Sequence, residues 1–363
     1  MKILMISSYL PYPLYSGGHI RLYNLIKNLK DEHEITLICE KRKNQNKQDI
    51  EEVEKICKKV IAVDRKKQWS LENILKTGFS MEPFLFKGHE NKEMKLIIQD
   101  ELVREKYDLI HVETSYVYQN LPKVSIPVVL VEHNIEYLVY KRFAKHANPI
   151  LKPFLYTDIL KLKKKEEEIW KKVTKLVAVS DVEKRLMKRQ DVSVVSNGVD
   201  TEIFKFRNFE AIAEEKRILF IGDFKWIQNK DTLDFILTDV WPKVLNKLDD
   251  MGKNINPKLW IVGKNIPESF KKMGNPQNVI FDEKNTEETP IIFNKSYILL
   301  SPLRVAGGTS YKILEAMSSG TAVVTTSLGI ERLEAKNQTQ ALASETAEGL
   351  SENVCELLLD KSL

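Results

Sequence analysis

Short apolar runs recur along the chain, separated by stretches whose apolar positions fall three and four apart. In the first half, KILMIS (2–7), EITLICE (34–40), VIAVD (60–64), LIHVE (109–113), PVVLVEH (127–133) and KLVAVS (175–180) read as strands. An amphipathic helix is expected over 19–29, with Leu22, Leu25, Ile26 and Leu29 on one face. The lysine-rich segment 41–59 reads as solvated loop and helix, and 155–172 as a long charged helix. VSVVSNGVD (192–200) ends in an Asn-Gly turn. The pattern then restarts at 217–222, 257–263, 278–282, 297–303 and 321–327, with one last helix over about 344–359. Runs that are apolar throughout suit strands buried on both faces, as parallel sheets require. The expected fold is α/β: two Rossmann-like doubly wound domains, 1–200 and 201–363, joined within 199–208 and facing across a cleft. Ligands of such sheets bind beyond the carboxyl ends of the strands.

Composition narrows the class. A chain of 363 residues exceeds the roughly 250–300 at which single cores stop growing. No apolar run approaches the ~20 residues that span a bilayer, and MKILMISSYLPYP lacks a signal peptide's apolar core. Cys39, Cys57 and Cys355 form neither a disulfide framework nor a metal-ligand pattern, which suits a reducing cytoplasm. Charge is uneven: residues 1–200 hold 36 Lys and Arg against 28 Asp and Glu, a net of +8, while the remainder nets −3. Such a half suits a phosphorylated substrate, an anionic membrane surface or nucleic acid. No aromatic platform interleaves the basic residues, so nucleic acid is not expected. Lysines at 161–165 and 171–175 flank Glu166, Glu167 and Glu168; the first reading is i,i+4 pairing on a solvated helix, the second a membrane-surface role. No Gly-x-Gly-x-x-Gly follows a strand, which argues against a dehydrogenase.

The densest chemistry lies in SPLRVAGGTSYKILEAMSSGTAVVTTSLGIE (301–331). A strand, a Gly-Gly turn and a helix follow one another. The first amides of a helix lack internal partners and, with the dipole, attract anions. Gly307 and Gly308 admit a phosphate close to the backbone. Thr309 and Ser310 supply caps or hydroxyl donors, and Arg304 a two-pronged cation. Glu315, an acceptor of two hydrogen bonds, suits the vicinal hydroxyls of a ribose. These parts describe a nucleoside-diphosphate site as well as an ordinary strand–turn–helix.

The same stretch resembles the donor-site signature of the retaining, family 4 GT-B glycosyltransferases. SYLPYPLYSGGHIRLYNLIKNL resembles their acceptor loop, VEHNIEY their active-site His loop, VVSNGVDTEIF their entry to the second domain, and ILFIGDFKWIQN the first strand and loop of the donor domain. The likeness spans about residues 1–335. It implies a GT-B fold, with acceptor domain 1–200 and donor domain 201–363. Glu315 matches the second Glu of the family's Glu-x7-Glu pattern, which binds the donor ribose. The first falls on Gly307, a departure shared with a subset whose Gly-rich turn ends in Thr. Gly17 and Gly18 match glycines near the donor phosphate, and His133 the His at the transferred sugar. The family places an Arg and a Lys on the pyrophosphate; here Asp223 stands where Arg is usual, and Lys225 and Lys230 are the candidates to replace it. The family usually ends in a helix crossing back to the first domain, and this chain is expected to stop short of it.

The function so implied is transfer of a sugar from a nucleoside-diphosphate sugar to a hydroxyl acceptor, without metal or other cofactor and with retention. The acceptor is expected to be a glycan or lipid-linked glycan of bacterial surface polysaccharide synthesis, met in the cytoplasm with peripheral membrane contact through the basic N-terminal domain. A sugar-nucleotide epimerase of the same fold and a non-catalytic partner subunit are the alternatives.

Overall fold

A computed structural model describes residues 1–14, 16–66, 73, 77–78, 80–146, 148–207, 215–253, 255–285, 287–304 and 310–360. The chain forms two compact units, Met1–Ser196 and Asn197–Leu363. The division falls inside the Asn-Gly turn, slightly ahead of the expected 199–208. The cause is local. Val195 donates its amide to Ala178, and the Arg21 guanidinium holds the carbonyls of Val195 (2.7 Å) and Ser196 (3.1 Å). These bonds keep the chain in the first unit up to Ser196.

The first unit is a parallel sheet of β1 (Lys2–Ser7), β2 (Glu34–Lys41), β3 (Lys59–Asp64), β4 (Leu109–Glu113), β5 (Val128–Glu132), β6 (Lys175–Ala178) and β7 (Ser193–Val194). Their order is β3-β2-β1-β4-β5-β6-β7. The order reverses between β1 and β4, so the loops after these strands diverge and leave room for a ligand. Side chains alternate across the sheet. Leu4, Ile6, Val112 and Leu130 meet Phe86, Ile98, Leu162 and Trp170 on one face. Ile3, Met5, Leu37 and Cys39 meet Leu22, Ile26 and Val53 on the other. Burial on both faces is why these strands read as unbroken apolar runs.

The second unit repeats the plan. It contains β8 (Arg217–Ile221), β9 (Lys258–Val262), β10 (Val279–Asp282), β11 (Ile298–Ser301), β12 (Ala322–Thr325) and β13 (Leu342–Ala343), ordered β10-β9-β8-β11-β12-β13 and parallel throughout. The sequence pattern missed β13, which at two residues is too short to make an apolar run. At the ends of β8 and β9 the backbones touch: a Cβ on Gly263, at φ +143°, would lie 1.8 Å from the Gly222 carbonyl oxygen. The last helix, Ala347–Leu359, buries Leu350, Val354 and Leu358 against this sheet.

The charged helix, Lys152–Lys172, departs from the solvated ladder foreseen for it. Glu166 is fully buried, and its two oxygens accept the amides of Glu136 (2.9 Å) and Tyr137 (3.0 Å). It thereby caps the helix Glu136–His146, whose first amides have no partner within the helix. Lys161 donates to the carbonyls of Thr77 and Ser80, and Lys165 pairs with Glu82 at 2.7 Å. Tertiary partners have displaced local i,i+4 pairing, of which Lys163–Glu167 at 3.9 Å is an example that persists.

Candidate functional site

In the first unit the chemistry gathers at the carboxyl ends of β1, β4 and β5. His111 and Glu113 are two apart on β4, so they share a face. Glu113 pairs in register with Val131 on β5, and His133 lies two residues further along that strand's path, on the same side. The three side chains converge. Glu113 is fully buried; one oxygen accepts from His111 Nε2 at 2.7 Å, the other from His133 Nε2 in a short contact. A carboxylate only accepts, so each imidazole carries its proton on Nε2. Burial alone would push the Glu113 carboxyl up. The His133 charge and the hydrogen bonds from both imidazoles outweigh it and hold the group well below the usual carboxylate range. The next residue, Thr114, sits at φ +76°, a region a β-branched residue rarely occupies.

The glycine pair joins this cluster through Tyr9. Gly17 and Gly18 open the helix Gly17–Leu29 after Ser16, whose extended backbone makes no side-chain cap bond. Tyr9 Oη donates to the Gly18 carbonyl at 3.2 Å, and a Cβ on Gly18 would meet the same oxygen at 3.2 Å. The Tyr9 ring lies 4.8 Å from His19 and edge-on to His133 at 6.5 Å. The structure therefore brings Gly17, Gly18 and His133 together. The pattern reading missed Glu113; its signal was a His-x-Glu ending a strand beside the one that leads to His133.

In the second unit the corresponding place is the helix Tyr311–Ser318, which follows β11. Gly307, Gly308 and Thr309 lie outside the described residues. Ser310 is the N-cap in extended conformation and makes no side-chain cap bond. Glu315 is half-buried one turn inside the helix, and burial pushes its carboxyl up to about 7 against the pull of Lys312. Lys312 lies three residues earlier, on the same helical face. Its Nζ sits 4.5 Å over the Phe220 ring and donates to Asn229 Oδ1 at 3.1 Å. Burial pushes this lysine down to about 8, with Glu315 opposing. Asn229 is itself held by the Asp223 carbonyl at 2.9 Å.

The cations foreseen from the sequence are placed differently. Arg304 is committed to Asp231, with Nε and Nη2 at 3.1 and 2.9 Å from its carboxylate, and lies 4.4 Å over the Phe235 ring. Lys225 Nζ pairs with Asp223 at 2.8 Å. Lys230 is exposed on the helix Ile227–Phe235. Asp223, where the family usually has Arg, organises its own loop by accepting from the Lys225 amide (3.0 Å) and Asn265 Nδ2 (2.8 Å). Lys312 was not singled out, although Lys-x-x-Glu on a helix already placed it beside Glu315. The pair offers a cation that suits a phosphate and an acceptor that suits two hydroxyls.

Residues 15–203, more than half of the chain, match the family described as Glycosyltransferase Family 4. The chain is a family 4 glycosyltransferase. Residues 215–360 of this glycosyltransferase match the family described as Glycosyl transferases group 1. A Klebsiella pneumoniae protein described as "Uncharacterized 44.6 kDa protein in cps region" is 27% identical over 344 residues, covering 91% of this chain and 84% of that protein. Anabaena HepE, solved in complex with UDP, superposes with a TM-score of 0.63 at 14% identity, covering 99% of this chain and 91% of its own. TarM does so at 0.66 and 11%, covering 99% and 92%. A glycosyltransferase from Rickettsia africae does so at 0.62 and 14%, covering 99% and 88%. These likenesses show the GT-B fold.

Proposed function

We propose that this glycosyltransferase moves a sugar from a nucleoside-diphosphate sugar to a hydroxyl acceptor with retention of anomeric configuration. The observation that carries the reading is Lys312 and Glu315 on one face of the helix after β11, both half-buried. Glu315 is assigned to the ribose hydroxyls. Lys312 and the first amides of its helix are assigned to the diphosphate. Negative charge builds on the leaving diphosphate as the anomeric bond breaks, and pre-placed donors stabilise it where it develops. Binding the diphosphate favours the charged form of Lys312, which burial otherwise opposes.

His133, held by Glu113, is assigned to the transferred sugar in the acceptor-binding unit. Its Nε2 is committed to the carboxylate, which leaves Nδ1 to be assigned to the substrate. HepE, a neighbour in fold, was solved with UDP-glucose as well, which makes uridine diphosphate the first donor nucleotide to try. The relative from a cps region supports a surface-polysaccharide role, with a glycan or lipid-linked glycan as acceptor. The reading takes its positive charge from the protein, and so proposes turnover without a metal ion. The test is product analysis with a panel of nucleoside-diphosphate sugars and glycan acceptors, with and without EDTA. A new glycoside whose anomeric proton coupling matches the donor's, formed equally with EDTA, supports the reading. An inverted product, or loss of turnover with EDTA, overturns retention or metal independence respectively. Interconversion of the donor sugar without transfer would assign the epimerase instead.

A further inference from the structure

Between β5 and the helix Glu136–His146 lie His133, Asn134 and Ile135, and both ends of this short loop are tied to one surface, the helix Lys152–Lys172. On the strand side, Glu132 accepts from Trp170 Nε1 at 2.8 Å with one carboxylate oxygen and from the Ser115 amide at 3.2 Å with the other. On the helix side, Glu166 accepts the amides of Glu136 (2.9 Å) and Tyr137 (3.0 Å). Glu166 and Trp170 are one turn apart and share a helical face. Successive side chains along a strand point to opposite faces, so Glu132 reaches that helix while His133 reaches Glu113. The imidazole is thus held by Glu113, and the backbone that carries it by Glu132 and Glu166.

Packing alone does not call for two acids here. Glu132 and Glu166 are both fully buried. Burial pushes the Glu132 carboxyl up to about 8. Burial pushes Glu166 up as well, with Glu132 and Glu136 adding to the effect. The groups that oppose burial most are neutral donors: the Trp170 indole, Ser115, and the amides of Glu136 and Tyr137. Two lysines of the same helix are engaged elsewhere, Lys165 with Glu82 at 2.7 Å and Lys163 over the Tyr137 ring at 5.7 Å. A buried acid answered only by neutral donors is costlier than an apolar side chain of similar size. What the two carboxyls supply, and apolar side chains would not, is a fixed acceptor at each end of the loop. Glu101 is the contrast. It is buried too, but its partners are Lys59 (2.6 Å), which opens β3, and Tyr107 (2.7 Å).

We propose that Glu132 and Glu166 are positioning residues for the transfer reaction, clamping the loop so that His133 stays on Glu113; the kinetic consequence rests on the role assigned to His133 above. The experiment follows the His133 Nε2 proton by NMR in the full chain labelled at histidine, its signal being the one absent from His133→Asn. Exchange of that proton with water should be at least about tenfold faster in Trp170→Phe, which keeps an aromatic ring without the indole N–H, and in Glu166→Gln, which keeps one acceptor oxygen of two. Glu132→Ala should behave as Trp170→Phe does, and Glu132→Gln, a neutral acceptor for the indole, should return exchange to within about threefold of wild type. Glu101→Gln should lower the melting temperature and leave His133 as in wild type. Exchange within about twofold of wild type in both Trp170→Phe and Glu166→Gln overturns the clamp. So does equal acceleration in Glu101→Gln, which would reduce the effect to general stability, and a Glu132→Gln protein as fast as Glu132→Ala removes Glu132 from it. In product assays Trp170→Phe and Glu166→Gln should lower kcat at least about tenfold, with KM for the donor unchanged because the donor is assigned to the second unit. Faster exchange with unchanged kcat would support the clamp and remove His133 from the reaction.

Discussion

Removing the Glu113 carboxylate would leave two imidazole N–H donors facing nothing in a buried place. Glu113 accepts from both His111 and His133, and none of it reaches solvent. Removing one partner of a buried charged pair costs about 3–5 kcal/mol. Glu113→Ala should lose about that much. In a domain of about 150–250 residues each kcal/mol shifts Tm by roughly 2–4 °C, so melting should fall by about 6–20 °C. Glu113→Gln keeps one acceptor oxygen and should cost less, about the 1.5–3 kcal/mol of a single charged hydrogen bond. The sign of the pH dependence follows from the depressed carboxyl. An unfolded Glu titrates near about 4.3. Stabilisation by Glu113 is therefore full above that pH and is lost as pH falls toward the lower folded value. The gap between wild type and Glu113→Gln should hold near neutrality and narrow below about pH 4. Thermal melts at several pH values measure it, and amide hydrogen exchange places the loss in β4 and β5. A Glu113→Ala protein melting within about 2 °C of wild type at pH 7, where the cost should be full, would refute the reasoning.

Two further outcomes follow from the site. Lys312→Met keeps the buried stem and removes the charge, so affinity for a nucleoside diphosphate should fall at least about tenfold, or roughly 1.4 kcal/mol. In the wild type, affinity should be highest between about pH 7, above which Glu315 is ionised, and about pH 8, below which Lys312 is charged, and decline on either side; calorimetry in buffers of different ionisation heat would show proton uptake on binding above pH 8. A flat pH profile would remove Lys312 from the phosphate. His133→Asn should leave donor affinity unchanged and lower turnover at least about tenfold, the low end of what positioned side chains contribute; full turnover would make His133 a packing residue.

Much of the fold was legible in the sequence because parallel strands buried on both faces leave unbroken apolar runs. β1 and β4 were placed to the residue, and the other longer strands to within one or two positions. What escaped were elements too short to show a period, β7 and β13. The behaviour of Glu166 also escaped, because its partners are the amides of a helix some thirty residues away. The candidate site residues were legible as residue types, and their pairing less so. His133 directly follows β5, Gly17 and Gly18 open the helix after β1, and Glu315 lies one turn inside the helix after β11, on the side of the sheets where the α/β plan puts ligands. Arg304 and Lys225 looked available in one dimension, but Asp231 and Asp223 hold them in three. Lys312 and Glu113 were overlooked for the opposite reason: each sits inside an apolar element and becomes chemically distinctive only through burial and its neighbours.

Isothermal titration of UDP into the wild-type protein and Glu315→Ala tests the central claim most directly. The account predicts saturable one-to-one binding to the wild type, at least about tenfold weaker in Glu315→Ala, with both proteins melting alike. Equal affinity of the two proteins for UDP would contradict the assignment of Glu315 to the donor site.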